Sequence, residues 1–346
     1  MRVLIITTMR NEAPFILEWL AYHRLIGVTD FLIFSNDCDD GTDAMLDRLQ
    51  ERGDVTHVRN RSGGKKTVQW RALSKAQRHP LLKAADWVYV TDVDEFLCIH
   101  AGDGHLRDLC AASPQAQGFA IPWRMFGNAG VTEFTDVPMT TQFTRSAPEA
   151  LLWPWRAVQF KSLYRHGPDD LLGIHRPKQH SPGPWVDGNG APLPQRPGTV
   201  IPTQASRYGL AQINHYALGS VESFLVKVDR GKPNHSNDPI DLAYWIDRNF
   251  NTVEDTRILR HQDGVANGLA DFMADPVLAD LHAAGVAWRK ARIAALLQES
   301  DSFYLYSRIL QTGDTQALPE SRQRQLFEQL MAIRQATARA RRANDQ

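Results

Sequence analysis

From residue 2 to about residue 100, short apolar runs alternate with stretches of helical periodicity, the signature of βαβ units. "RVLIITTM" reads as a buried strand. "APFILEWLAYHRLIG" sets Phe15, Leu17, Trp19, Leu20, His23 and Leu25 along a helix, with Pro14 in its first turn and Gly27 at its end. "DFLIFSN" predicts a second strand, "DDGTDAMLDRLQERG" a helix closed by Gly53, and "VTHVRN" a third strand. "KTVQWRALSKAQRHPLLKAAD" predicts helix broken at Pro80, and "WVYVTDVDEF" a fourth strand. This order predicts an α/β fold with a Rossmann-like, mostly parallel, doubly wound sheet.

Beyond residue 110 the rhythm changes. "GFAIPWRMFGNAG" and "AVQFKSLYR" look like strands, whereas residues 167–202 are crowded with proline and glycine and predict a long surface loop, a candidate lid. From "VESFLVKVDRG" onward the chain reads as mostly helical. Its last segment, "SRQRQLFEQLMAIRQATARARRAND", reads as a solvated helix, with peripheral membrane association as the lesser alternative. No fixed-period repeat occurs.

Composition narrows the function classes. Apolar residues are 43% and charged residues 23% of 346, so a sizeable core is available. The 39 basic and 39 acidic side chains cancel, leaving no global field to recruit nucleic acid. An anionic ligand must then be held locally. Three cysteines at irregular spacing, Cys38, Cys98 and Cys110, argue for a reducing compartment, and a cytoplasmic location is expected. No apolar run is long enough to form a transmembrane segment.

Three polar clusters fall at predicted strand ends: "TTMRNE", "SNDCDDGT" and "TDVDEF". In parallel sheets, ligands bind outside the carboxyl ends of the strands, so these clusters predict a cleft. In the last, Asp92, Asp94 and Glu95 end an apolar strand, and three carboxylates together require a positive partner. On a continuing strand Asp92 and Asp94 would face one side, which suits a hard divalent cation, Mn²⁺ or Mg²⁺, shared with a nucleoside diphosphate. An acidic turn paired with arginine is the structural alternative. "RSGGKKTVQWRAL" sets Lys65, Lys66 and Arg71 beside two glycines but does not match a Walker loop.

The opening "NE…EW..YH...G", the "N..DGT" turn and "DVDEF" resemble family-2-type glycosyltransferases, in the branch close to family 92. "WRMFGNAG", "FKSLYR", "GIHRP" and "NHYALGSVESFLVKVDRG" extend the resemblance across residues 3 to about 232. It implies a GT-A domain over residues 1–235, with a nucleotide-binding half (1–110), an acceptor-side half (111–235) and a helical C-terminal extension (236–346). It further implies a nucleotide-sugar donor, UDP-linked, a glycan or lipid-linked acceptor, and a place in polysaccharide synthesis. Asp92 would lie near ribose and metal-bound water, Asp94 would ligate the metal, and His175 or His215 would complete the metal site, with His175 slightly favoured. Arg10, Asn11, Glu12, Asn36, Asp37, Asp40 and Gln69 would line the donor. Trp123 and Trp185 are acceptor candidates, with core packing as their alternative. An inverting transfer needs a carboxylate base. No clean Glu-Asp pair follows the metal motif, which leaves Glu133, Asp136 and Glu222. The alternatives are a haloacid-dehalogenase-like phosphatase and a non-catalytic sugar-binding protein.

Overall fold

The computed structural model describes residues 1–344 except 62, 64–66, 180–181, 195–205 and 232–238; the side chains of 338 and 341–344 are also left aside. Lys65 and Lys66 lie outside the described residues. The first half runs β1 (Val3–Met9), α1 (Ile16–Leu25), β2 (Asp30–Ser35), α2 (Thr42–Glu51), β3 (Thr56–Arg59), α3 (Val68–Ala76), α4 (Pro80–Ala84) and β4 (Trp87–Val90). Next come β5 (Glu95–Ile99), α5 (Leu106–Ala112), β6 (Gly118–Met125), α6 (Met139–Gln142), β7 (Arg145–Ser146), β8 (Phe160–Arg165), β9 (Trp185–Asp187), β10 (Pro192–Leu193) and β11 (Ala211–His215). The remainder is α7 (Val221–Arg230), α8 (Leu242–Ile246), β12 (Val253–Glu254), α9 (Gln262–Met273), α10 (Pro276–Leu296), α11 (Ser300–Thr312) and α12 (Glu320–Asn344).

β3, β2, β1 and β4 lie side by side and parallel; β8 then runs antiparallel between β4 and β6, and β9 and β10 finish that edge. Alternation along β1 decides its two faces. Val3 and Ile5 join Trp19, Leu20 and Leu46 in one core, while Leu4 and Ile6 join Ala72, Leu73 and Ala76 of α3 in the other. Side chains buried on both faces leave the strands no polar side, which is why they read as continuous apolar runs.

Two expectations are revised. The strand predicted over 87–96 is two strands: β4 stops at Val90, the chain turns through Asp92–Asp94, and β5 leaves to pair antiparallel with β11. Within the stretch expected as a loop, β9 pairs with β6, and Trp185 is buried against Gly118, where a Cβ would lie 2.7 Å from the indole. Proline and glycine here permit close packing, and the bulk of tryptophan fills the space.

The C-terminal helices dock on the sheet's helical layer. Gly268 of α9 meets Ala21 of α1, and a Cβ on Gly285 of α10 would stand 2.6 Å from the Cβ of Ala13. Asp275 caps α10 and pairs with Arg48 and Arg52, anchoring the helix to α2 and the turn that follows it. α10 is thereby pressed against the loop that leaves β1. Among the described residues, no helix is long and apolar enough to cross a membrane.

Candidate active site

A cavity of about 290 Å³ opens at the carboxyl ends of β1, β2 and β4. It gathers Arg10, Glu12, Asn36, Gln69, Asp92, Asp94, Trp123, His175 and His215, nine of the residues singled out from sequence. Other expected donor residues take different work. Asn11 accepts from the Asp39 amide, and Asp40 accepts from the amides of Ala13 and Thr42, so both lock the loop after β1 onto the turn after β2. Asp37 is exposed, and its carbonyl accepts from Arg10 Nε. None of these three lines the cavity.

The counter-charge demanded by the acid trio is in the chain itself. Lys161, fully buried on β8, reaches Asp92 at 2.9 Å and Glu95 at 3.3 Å. Lys227 on α7 donates to Asp94 at 2.7 Å and to the Ala217 carbonyl. Burial works against the charge on Lys161, but Asp92 and Glu95 outweigh it and its pKa ends above normal. Burial raises Glu95, which Lys161 opposes and the two aspartates reinforce; Thr91 Oγ1 donates to its Oε2. For Asp94, burial is outweighed by Lys227, His215 and Arg230, and its pKa lies well below the carboxylate range.

A second knot closes the cavity beside α7. Arg10 Nη1 donates to the Arg230 carbonyl at 2.7 Å, Arg230 Nη1 donates to the Arg10 carbonyl at 2.6 Å, and Arg230 also binds Glu12. Five basic side chains, Arg10, Arg156, Lys227, Arg230 and Arg248, line the cavity against four carboxylates, Glu12, Asp92, Asp94 and Glu95. With Lys161 behind Asp92 and Glu95 inclined to hold its proton, the wall carries an excess of positive charge. That suits a polyanionic ligand.

The histidines separate. Nε2 of His215 lies 3.9 Å from Asp94 Oδ1, and burial lowers its pKa to about 3, leaving a neutral imidazole. Nδ1 of His175 faces the Phe160 carbonyl at 3.1 Å, and its ring stands edge-on to Trp123. The geometry therefore favours His215 over His175 as the partner of Asp94. Among the described residues no three His, Cys, Asp or Glu side chains converge on one point. A divalent ion would draw on Asp94 and His215 from the protein and on phosphate and water oxygens for the rest, a donor set usual at nucleotide sites.

The expected bases lie outside this cavity. Glu222 Oε2 accepts from the Phe134 amide, Asp136 pairs with His282, Glu133 is exposed, and none of the three lines this cavity. Trp185 sits in the second core, stacked near Tyr164, and only Trp123 of the two acceptor candidates reaches the cavity. Its ring lies 4.4 Å from that of His215.

The sequence profile of "Glycosyltransferase family 92" matches residues 5–247, about two thirds of the chain and every residue that lines the cavity except Arg248. The chain belongs to glycosyltransferase family 92. Membership sets aside the phosphatase alternative, and the parallel strands followed by an antiparallel one form the GT-A sheet that the resemblance implied. A family 92 protein of Oryza sativa subsp. japonica is 31% identical over 153 residues, 41% of this chain and 25% of that one. One from Ricinus communis is 28% identical over 159 residues, 41% and 26% of the two chains. The match thus spans about a quarter of the length of these relatives. A solved structure of S. aureus TarS in complex with UDP-GlcNAc is 17% identical and covers 48% of this chain and 45% of that one, with a TM-score of 0.28.

Lys161, Lys227 and Arg230 lie inside the family motifs "FKSLYR" and "SFLVKVDRG", yet residue patterns did not single them out. A signal was there for Lys161: a lone lysine inside a strand buried on both faces needs an acid beside it.

Proposed function

We propose that this chain is a metal-dependent glycosyltransferase that moves a sugar from a nucleotide-sugar, UDP-linked, to a hydroxyl of a glycan or lipid-linked acceptor. The observation that carries the reading is the cavity at the carboxyl edge of the sheet, where Asp94 and His215 stand together within a wall rich in arginine and lysine. Asn36 and Gln69 are set to hydrogen-bond the nucleoside, and Arg10, Arg156 and Arg248 to neutralise the diphosphate. Asp94 and His215 would hold Mn²⁺ or Mg²⁺, which, when bound, supplies charge stabilisation to the departing diphosphate. In the transfer the acceptor oxygen bonds to the anomeric carbon, the bond from that carbon to the phosphate oxygen breaks, its electron pair leaves on the nucleotide, and the proton of the acceptor hydroxyl passes to water. Lys161 fixes Asp92 in place, and Lys227 keeps Asp94 ionised and fixed, before the ligand arrives, which lowers the reorganisation the reaction requires. The three free cysteines support the cytoplasmic reading.

Thermal unfolding tests this. UDP with Mn²⁺ at about a hundred times its Kd stabilises the folded state by about 2.7 kcal/mol. Asp94→Asn is expected to lose the metal-dependent part of that shift, and the parent protein to release UDP from at least one UDP-hexose. No shift with UDP and Mn²⁺ in the parent would refute the donor assignment.

A further inference from the structure

Arg289 lies on α10, beyond residue 247 where the family match ends, and is 5% exposed. Its guanidinium packs over the rings of Phe15 at 4.7 Å and Phe134 at 5.3 Å. Nη2 makes one long bond to the Ser223 carbonyl at 3.3 Å, and Nε has no partner. Neighbouring cations are paired, Lys227 with Asp94 and Arg230 with Glu12, whereas no described carboxylate lies within ion-pair distance of Arg289. A buried cation without a counter-ion is costly, and two aromatic faces offset only part of that cost. Burial lowers its pKa to about 10, so it remains charged at neutral pH.

The arginine faces a small cavity of about 40 Å³ next to Asp94. That space holds a carboxylate group or a few waters, not a sugar ring. It shares Glu12, Asp94, Lys227 and Arg230 with the larger cavity, the two carboxylates already paired with Arg230 and Lys227, but Asn36, Gln69, Arg156 and Arg248 do not reach it. It is therefore a distinct recess that meets the larger cavity at the Asp94–Lys227 pair. Phe134, Met139 and Phe143 supply apolar walls, which strengthen a charge interaction made inside.

We propose that this recess is a subsite for an oxyanion group carried by the acceptor, the carboxylate of a uronic acid or a phosphate, with Arg289 as its counter-charge. The proposal rests on the glycosyltransferase reading, because it needs a donor site beside the recess. It also gives the C-terminal helices a role in acceptor choice: α10, held by the Gly285–Ala13 contact, delivers the arginine to the cleft.

The test uses the full chain with sodium glucuronate, glucose, inorganic phosphate and sodium chloride at matched ionic strength, read by melting temperature with and without UDP and Mn²⁺. Glucuronate is expected to raise the melting temperature where glucose and chloride do not. Arg289→Met should weaken that response at least tenfold while the UDP response persists. Arg289→Lys, which keeps the charge and the fold but lacks the planar fork, should weaken it severalfold. A response to glucuronate alone identifies an acidic sugar as the source, and an equal response to phosphate identifies a general oxyanion subsite. Glucuronate acting no better than glucose, or acting equally on parent and both variants, overturns the proposal. Absence of the UDP response in the parent would instead overturn the glycosyltransferase reading.

Discussion

Replacing Lys161 by methionine removes the one buried cation between Asp92 and Glu95 while keeping most of the volume of the side chain. Breaking a buried ion pair by deleting one partner costs about 3–5 kcal/mol. Two features bring this variant to the lower end. Asp92 is 37% exposed and can regain water, and Glu95 already has a raised pKa and can take up a proton. An unfolding entropy of about 2.1 cal/mol/K per residue implies that a loss of about 3 kcal/mol lowers the melting temperature of a 346-residue chain by about 4 °C. The sign with pH follows from Glu95. Its folded pKa is raised, so as pH climbs above about 4.3 the unfolded chain releases this proton first and stability falls. Without Lys161 the folded pKa rises further, and the gap between variant and parent widens with pH. Because Glu95 of the parent holds its proton up to about pH 8, melting curves at pH 7 and pH 9, recorded with a chelator present, should show a gap of about 4 °C at pH 7 that widens at pH 9. A gap under 1 °C at pH 7, or one that narrows as pH rises, would refute Lys161 as the counter-charge.

Two further outcomes are expected. Trp185→Ala empties a core position packed against Gly118 and should cost about 3–5 kcal/mol in urea unfolding; a normal stability with weakened sugar binding would return Trp185 to the acceptor site. His23, buried between Trp19, Tyr22 and Phe96, has a pKa lowered to about 4 by burial, so the unfolded chain binds a proton first as pH falls below about 6.5. From pH 7 to pH 5 the parent should lose about 2 kcal/mol more stability than His23→Gln, and equal losses would show that His23 is not the titrating group.

The sequence by itself determined the sheet and the edge at which chemistry occurs. The alternation of Val3 and Ile5 with Leu4 and Ile6 needs apolar layers on both faces, and strands of one direction bring Arg10, Asn36 and Asp92 to a common rim. These are local properties, written in neighbouring residues. What neutralises the acids is not local. Lys161 meets Asp92 across 69 positions and Lys227 meets Asp94 across 133, and each pairing depends on where an antiparallel strand or a helix returns to the sheet. The break in the strand after Val90, the approach of His215 to Asp94 and the placement of Glu133, Asp136 and Glu222 outside the cavity have the same origin. Charge acts through space, and its energy depends on burial and distance, which only the folded chain defines.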